Sequence, residues 1–167
     1  MSNEFTPDAK LQELAEAFAQ EAVCFAAKHL NITLDYSDRS IAFVESILGE
    51  FHRGIAAAVP PAEQIQRYSQ WFGSYLGETF RRNHSATWGS TASGGSKIPS
   101  MRSERTTTVF FPWTRAYNRI TKGDTEGITA YYQYLLDELG GTPQPPPILT
   151  PPPVLEKRSL FGRLFGK

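Results

Sequence analysis

The chain has 167 residues, with 17 Lys/Arg balanced by 17 Asp/Glu, which argues against wholesale nucleic-acid binding, since that needs a broad basic face. Its one cysteine, Cys24, excludes an internal disulfide, and the longest apolar run, Ala22 to Ala27, is far too short to span a bilayer. The charge is unevenly spread: residues 1–60 carry a net −5, residues 61–142 a net +2, and residues 143–167 a net +3. Nothing demands an oxidising compartment, and the polar opening MSNEFTPDAK has no secretory h-region, so a cytoplasmic location is expected.

In chain order, Thr6 reads as an N-cap with Pro7 in the first turn. Leu11, Leu14, Phe18, Ala22 and Phe25 then recur at helical steps, predicting an amphipathic helix to about His29. Cys24 lies in this run and reads as a small core residue. Asn31 to Leu34 is a short extended connection. Asp35 or Ser37 can cap a second helix with the stripe Ile41, Val44, Ile47, Leu48 and Phe51, ending near Arg53-Gly54.

Pro60-Pro61 opens a third helix to about Arg82, with Ile65, Tyr68, Phe72, Tyr75, Leu76 and Phe80 on its apolar face. Gly73 and Gly77 share one side of it. Each glycine costs roughly 1 kcal/mol there, which implies close approach of another backbone.

The Gly/Ser-rich stretch after Trp88 reads as an exposed loop, and Thr106 to Phe111 as a strand. That strand would pair with Ala86-Thr87-Trp88 around the loop. Pro112 stops it, a short helix passes through Tyr117 and Ile120, and Lys122-Gly123-Asp124 turns the chain. A last helix runs from about Thr125 to Leu139, burying Ile128, Tyr131, Tyr132, Leu135, Leu136 and Leu139, and Gly140-Gly141 ends it. The expected class is α+β and helix-dominated, with about five helices and a small antiparallel sheet of two or three strands. Residues 1–141 form the domain, 142–155 a linker and 156–167 a tail.

Pro143 to Leu155 holds seven prolines and should extend as polyproline II. At about 3.1 Å per residue it reaches roughly 40 Å. Beyond it, Lys157 to Lys167 reads KRSLFGRLFGK, with Leu-Phe-Gly-basic said twice. On an ideal helix Leu160, Phe161, Leu164 and Phe165 share a face, Arg163 lies nearly opposite, and Arg158 and Lys167 flank it. Lys157 would fall within the apolar face, so the helix should start near Ser159 or Lys157 must snorkel.

Burying those four apolar side chains is worth roughly 6–12 kcal/mol at most, and ordering the segment costs about 9 kcal/mol. Each Lys or Arg near an anionic leaflet adds about 1 kcal/mol. The balance is weakly favourable at best: reversible attachment to an anionic membrane or a partner groove, strengthened in an oligomer, against a tail that stays a disordered end or folds back on the domain.

Tyr75-Leu76-Gly77-Glu78, Trp88, Val109 to Trp113 and Asn118 to Gly123 occur in an order that resembles a family of small uncharacterised bacterial domains. Its pattern is an L-G-E helix, a tryptophan strand, a strand ending in F-P and a short basic helix closed by glycine. The resemblance covers roughly residues 65–139. It implies a bacterial source and a small α+β fold, and no activity. The tail, over about ten residues, resembles the membrane-targeting helix of the Min-system division ATPase.

Little catalytic chemistry is legible. His29, His52 and His84 lack partners at metal-ligand spacing and read as surface or helix-end residues, so neither a metal nor another cofactor is expected. Gly89 and Gly94 have phosphate-loop spacing, but Gly95 stands where lysine is required. There is no G-x-S-x-G elbow. Glu78 precedes Arg81 and Arg82 by three and four residues, which reads first as surface pairing. Arg102, Arg105, Arg115 and Arg119 around Phe110, Phe111 and Trp113 read as the solvated ends of a hydrophobic strand rather than a single-strand nucleic-acid platform.

The leading expectation is a non-catalytic bacterial adaptor or binding domain, tethered peripherally to the inner membrane. Leu160, Phe161, Leu164 and Phe165 would insert, with Lys157, Arg158, Arg163 and Lys167 on lipid phosphates. One alternative is an immunity- or chaperone-like interaction module whose tail docks in a partner groove. The other is a small enzyme with a site among Glu78, Arg81, Trp88, Trp113, Arg115 and Arg119, which a deep pocket and a carboxylate of raised pKa would support.

Overall fold

The computed structural model describes residues 4–139; the 142–155 linker and the 156–167 tail lie outside them. Five α-helices and one four-stranded antiparallel sheet make an α+β fold dominated by helix. The strands are β1 (Phe5–Pro7), β2 (Ala86–Ser93), β3 (Ser96–Ser103) and β4 (Val109–Phe110), in that spatial order. The helices are α1 (Ala9–Phe25), α2 (Ile41–Ala57), α3 (Ala62–His84), α4 (Pro112–Lys122) and α5 (Ile128–Leu139). Helix α3 is the central element. Its stretch from Phe72 to Phe80 is buried on every side, including Ser74, Glu78 and Thr79.

At the front of the chain, Thr6 is not a helix cap. It lies in β1, paired with Ser90, and Asp8 caps α1 by accepting from the N–H groups of Lys10 and Leu11 at 3.0 and 3.1 Å. The face that α1 buries matches the expected stripe only in part, at Ala22 and at Phe25, which packs against the core. Ala15, Ala19, Ala22 and Ala26 are fully buried, while Leu14 is 43% exposed and Leu11 and Phe18 sit at the rim. Methyl-sized side chains let α1 approach α3 closely, and this close packing displaces the bulkier stripe. Cys24 is consequently exposed, not a core residue. The helix closes in one wide π turn, Ala26–Leu30, capped by Asn31 in the left-handed region.

Ser37 caps a short 3₁₀ turn, Asp38–Ser40, that leads straight into α2. That helix continues past Arg53-Gly54 to Ala57, with Ile41, Val44, Ile47, Leu48 and Phe51 buried as the period requires.

The sheet departs most from expectation. Residues 89–103 are not a loop, and Ala86-Thr87-Trp88 does not pair with residues 106–111. β2 and β3 form a hairpin in continuous register from Ala86↔Ser103 to Ser93↔Ser96. Gly94 and Gly95, at φ +56° and +82°, are the two central residues of its turn. Positive φ at both suits the right-handed twist of the flanking strands. The 106–111 strand shrinks to Val109–Phe110, paired with β3 through Met101↔Phe110 and Arg102↔Val109. Trp88, Met101 and Phe110 thus line up across the sheet, all buried.

Pro112 opens α4. A 3₁₀ turn, Asp124–Glu126, precedes α5, which therefore starts at Ile128 rather than Thr125. Glu45 on α2 accepts from the N–H groups of Ile128 and Thr129 and so caps α5 from another element.

Candidate functional site

The two glycines of α3 are contact points. A Cβ on Gly73 would lie 2.7 Å from Cα of Trp113 and 2.8 Å from the carbonyl oxygen of Pro112, so α4 crosses backbone-close there. Gly77 lies under the Trp88 indole and the Met101 sulfur. Trp113 completes the seam, its Nε1 donating to Ser74 Oγ at 2.7 Å and its ring 6.1 Å from that of Trp88.

Beside this seam lies Glu78, whose side chain is fully buried. Arg81 donates to both carboxylate oxygens, through Nε and Nη2 at 2.8 Å each. Arg82 Nε donates to Oε2 at 3.2 Å, and Trp88 Nε1 to Oε1 at 2.8 Å. Arg81 also reaches Glu16 on α1 at 3.2 Å. Burial by itself pushes the Glu78 pKa up. The hydrogen bonds from Arg81 and Trp88, with the Arg81 charge, more than offset this and hold the carboxyl below its ordinary value. The pairs expected at the helix surface are therefore formed, with the carboxylate fully buried and the arginines partly exposed. Four donor contacts on an ionised carboxylate leave it poorly suited to shuttle protons near neutral pH.

A second cluster joins residues far apart in sequence. Asp38 accepts from His84 Nε2 at 2.9 Å, from Asn83 Nδ2 at 3.3 Å and from the Tyr132 hydroxyl at 2.5 Å. It ties the start of α2 to the end of α3 and to α5. Burial raises the Asp38 pKa, but the donors, His84 first, bring it below the usual carboxylate value. The Tyr132 hydroxyl is pushed well above ordinary phenol by burial and by the Asp38 carboxylate it faces.

Next to this cluster, Tyr36 and Ser85 hold φ of +60° and +63°. Tyr36 is fixed there by several contacts. Its N–H donates to the Tyr75 hydroxyl at 2.8 Å, its carbonyl accepts from Asn83 at 2.9 Å, and its ring lies 3.7 Å from the Arg82 guanidinium carbon. The pairing of His84 with Asp38 was not legible, because 46 residues separate them. A His–Asp pair can serve proton transfer, but the described hydrogen bonds of this ring go to Asp38 alone, and neither described cleft includes it.

The remaining sequence candidates do not gather into one site. Arg119 is 4% exposed, not a solvated strand end, and bonds Glu45 at 2.6 Å and Asp124 at 3.0 Å. Arg115 bonds Glu126 at 2.5 Å and stacks 4.2 Å from the Tyr131 ring centre. Arg102 covers the Phe5 ring at 4.7 Å. His52, read as a surface residue, bridges α2 to α4 through Nδ1 and the Ile120 carbonyl at 2.8 Å. Gly89 lies in β2 against Phe5 and the Thr6 carbonyl, a strand position rather than part of a phosphate loop. Among the described residues, no group of three or more His, Cys, Asp or Glu is placed to hold a metal ion.

Among the described residues, two surface clefts stand near the functional candidates. One of about 480 Å³ runs between α1 and the first half of α3, with Phe18 and Trp71 as its apolar lining and Glu21, Glu63 and Arg67 at its rim. The other, about 250 Å³, lies where β4, α4 and α5 meet and includes Phe111, Arg115, Asn118, Tyr131 and Tyr134. Sequence reasoning missed the first. The signal was Leu14 and Phe18 standing beside an alanine stripe that could serve as the buried face instead.

The chain matches no family model, no curated protein and no solved structure.

Proposed function

We propose that this is a non-catalytic adaptor or binding domain of bacterial type, held peripherally at the inner face of the membrane by residues 156–167. The observation that carries the reading is the tail: four large apolar and four basic side chains within the eleven residues Lys157 to Lys167, behind a proline-rich spacer. Leu160, Phe161, Leu164 and Phe165 insert, and Lys157, Arg158, Arg163 and Lys167 meet lipid phosphates.

The geometry around Glu78 weighs against the enzyme alternative at that carboxylate. Glu78, the carboxylate on which the enzyme alternative turned, has its oxygens occupied by Arg81, Arg82 and Trp88. Its pKa is lowered, where an acid or base catalyst needs it raised toward neutrality. No described helix is long and apolar enough to cross a membrane. The bacterial source and the inner membrane rest on the two resemblances, over residues 65–139 and over the tail. The test is a full-length variant, Phe161→Asp with Phe165→Asp: it loses co-sedimentation with anionic vesicles on this reading, and unchanged co-sedimentation contradicts it.

A further inference from the structure

Three features of the chain lie apart from the buried clusters. They are the cleft between α1 and α3, the partly exposed apolar residues beside it, and the acidic excess of the first sixty residues. Phe18 and Trp71 line the cleft, Leu14 extends its apolar side along α1, and exposed Glu21 and Glu63 stand at its rim. Among the described residues neither glutamate has a hydrogen-bond or ion-pair partner; Arg67 is the one basic group at the cleft. The lining thus combines two aromatic rings with two glutamates against one arginine, a small acidic excess.

We propose that this cleft is the docking site for the chain's own residues 157–167. The complementarity is chemical at each level. Aromatic and aliphatic lining in the cleft meets Leu160, Phe161, Leu164 and Phe165. The glutamates at the rim meet a segment with four basic residues and no acidic one. Reach permits it. Residues 140–156, extended at about 3.1 Å each, span roughly 50 Å, and a 136-residue domain has a radius of gyration of about 14 Å.

Tethering makes a weak contact sufficient, since a short linker gives an effective concentration of about millimolar. Docking would cover the same apolar side chains that a membrane would take, so an anionic surface competes with the cleft. The tail is then latent until such a surface captures it. The docking itself requires no lipid and holds or fails independently of the membrane reading.

Cys24, the only cysteine and exposed, lies on α1 about one turn beyond Glu21, so a nitroxide attached there reports on the cleft in the full-length chain. In lipid-free buffer, the isotope-labelled chain should show amide signals of residues 160–165 weakened by the oxidised label and recovered on its reduction. The variant Glu21→Lys with Glu63→Lys should abolish the effect, and adding Arg158→Glu with Arg163→Glu should restore it. Equal signals with oxidised and reduced label overturn the proposal. So does weakening that survives the glutamate reversals, or weakening seen only between labelled and unlabelled molecules in a mixture, which would place the tail on a second copy.

Discussion

A Cβ placed on Gly77 would lie 2.4 Å from Cζ2 of Trp88, the residue whose indole nitrogen holds the neighbouring Glu78. One contact therefore joins α3, the hairpin and the buried charge. Gly77→Ala should destabilise the fold by about 1–2 kcal/mol, because overpacking outweighs the roughly 1 kcal/mol gained in helix propensity. Gly127→Ala, where a Cβ would meet nothing nearer than 3.6 Å, should be close to neutral. Urea denaturation of both variants checks the contrast.

Removing the Glu78 charge should also cost stability. Glu78→Gln leaves the indole an acceptor but breaks the two-point pairing with Arg81. The arginines are partly exposed and can return to water, so the loss should be about 1–3 kcal/mol, below that for a fully buried pair. A denaturation midpoint equal to that of the parent chain would contradict the structural role assigned to this cluster.

The pH dependence follows from Glu78 and Asp38 together. Both titrate below their ordinary values of 4.5 and 3.8 in the folded chain. As pH falls, the unfolded chain takes up protons first. The stability these groups contribute is therefore complete above the ordinary carboxylate values and is lost as pH drops through the lower folded ones. Urea midpoints measured from about pH 6 to about pH 3 should fall. The fall should be shallower in Glu78→Gln and in Asp38→Asn.

Glu45 supports two elements at once. Glu45→Ala removes the cap of α5 and leaves buried Arg119 with Asp124 alone, whose side chain is 94% exposed. The expected loss is about 2–4 kcal/mol, with amide exchange at residues 128–132 accelerated more than exchange in α3.

These relationships explain what could be read in advance. The helices were legible because burial imposes a period on Val44, Ile47, Leu48 and Phe51, or on Phe72, Leu76 and Phe80, that local sequence records. The hairpin was not. Its strands are rich in small Gly, Ser and Thr, and Gly94-Gly95 serves equally as loop filler or as a two-residue turn. On α1 both the large residues and the alanines follow a helical period, and only close approach to α3 selects the alanines. Of the Glu78 cluster, the arginines were visible three and four positions away, whereas the tryptophan that seals it arrives from a strand whose register was misplaced. Asp38 with His84 and Glu45 with Arg119 are long-range pairs that no spacing rule encodes.

Cys24 tests the α1 assignment simply. With the alanine face turned inward, the thiol should react with an aromatic disulfide reagent in native buffer, without denaturant. If it reacts only on unfolding, the helix is rotated from the orientation described.

Flotation of the full-length protein and of a 1–142 truncation, each with neutral and with anionic liposomes, tests the central claim most directly. The account predicts that only the full-length chain floats, and only with anionic vesicles. If neither protein floats, or if the truncation floats as well as the full chain, the tail is not the membrane anchor.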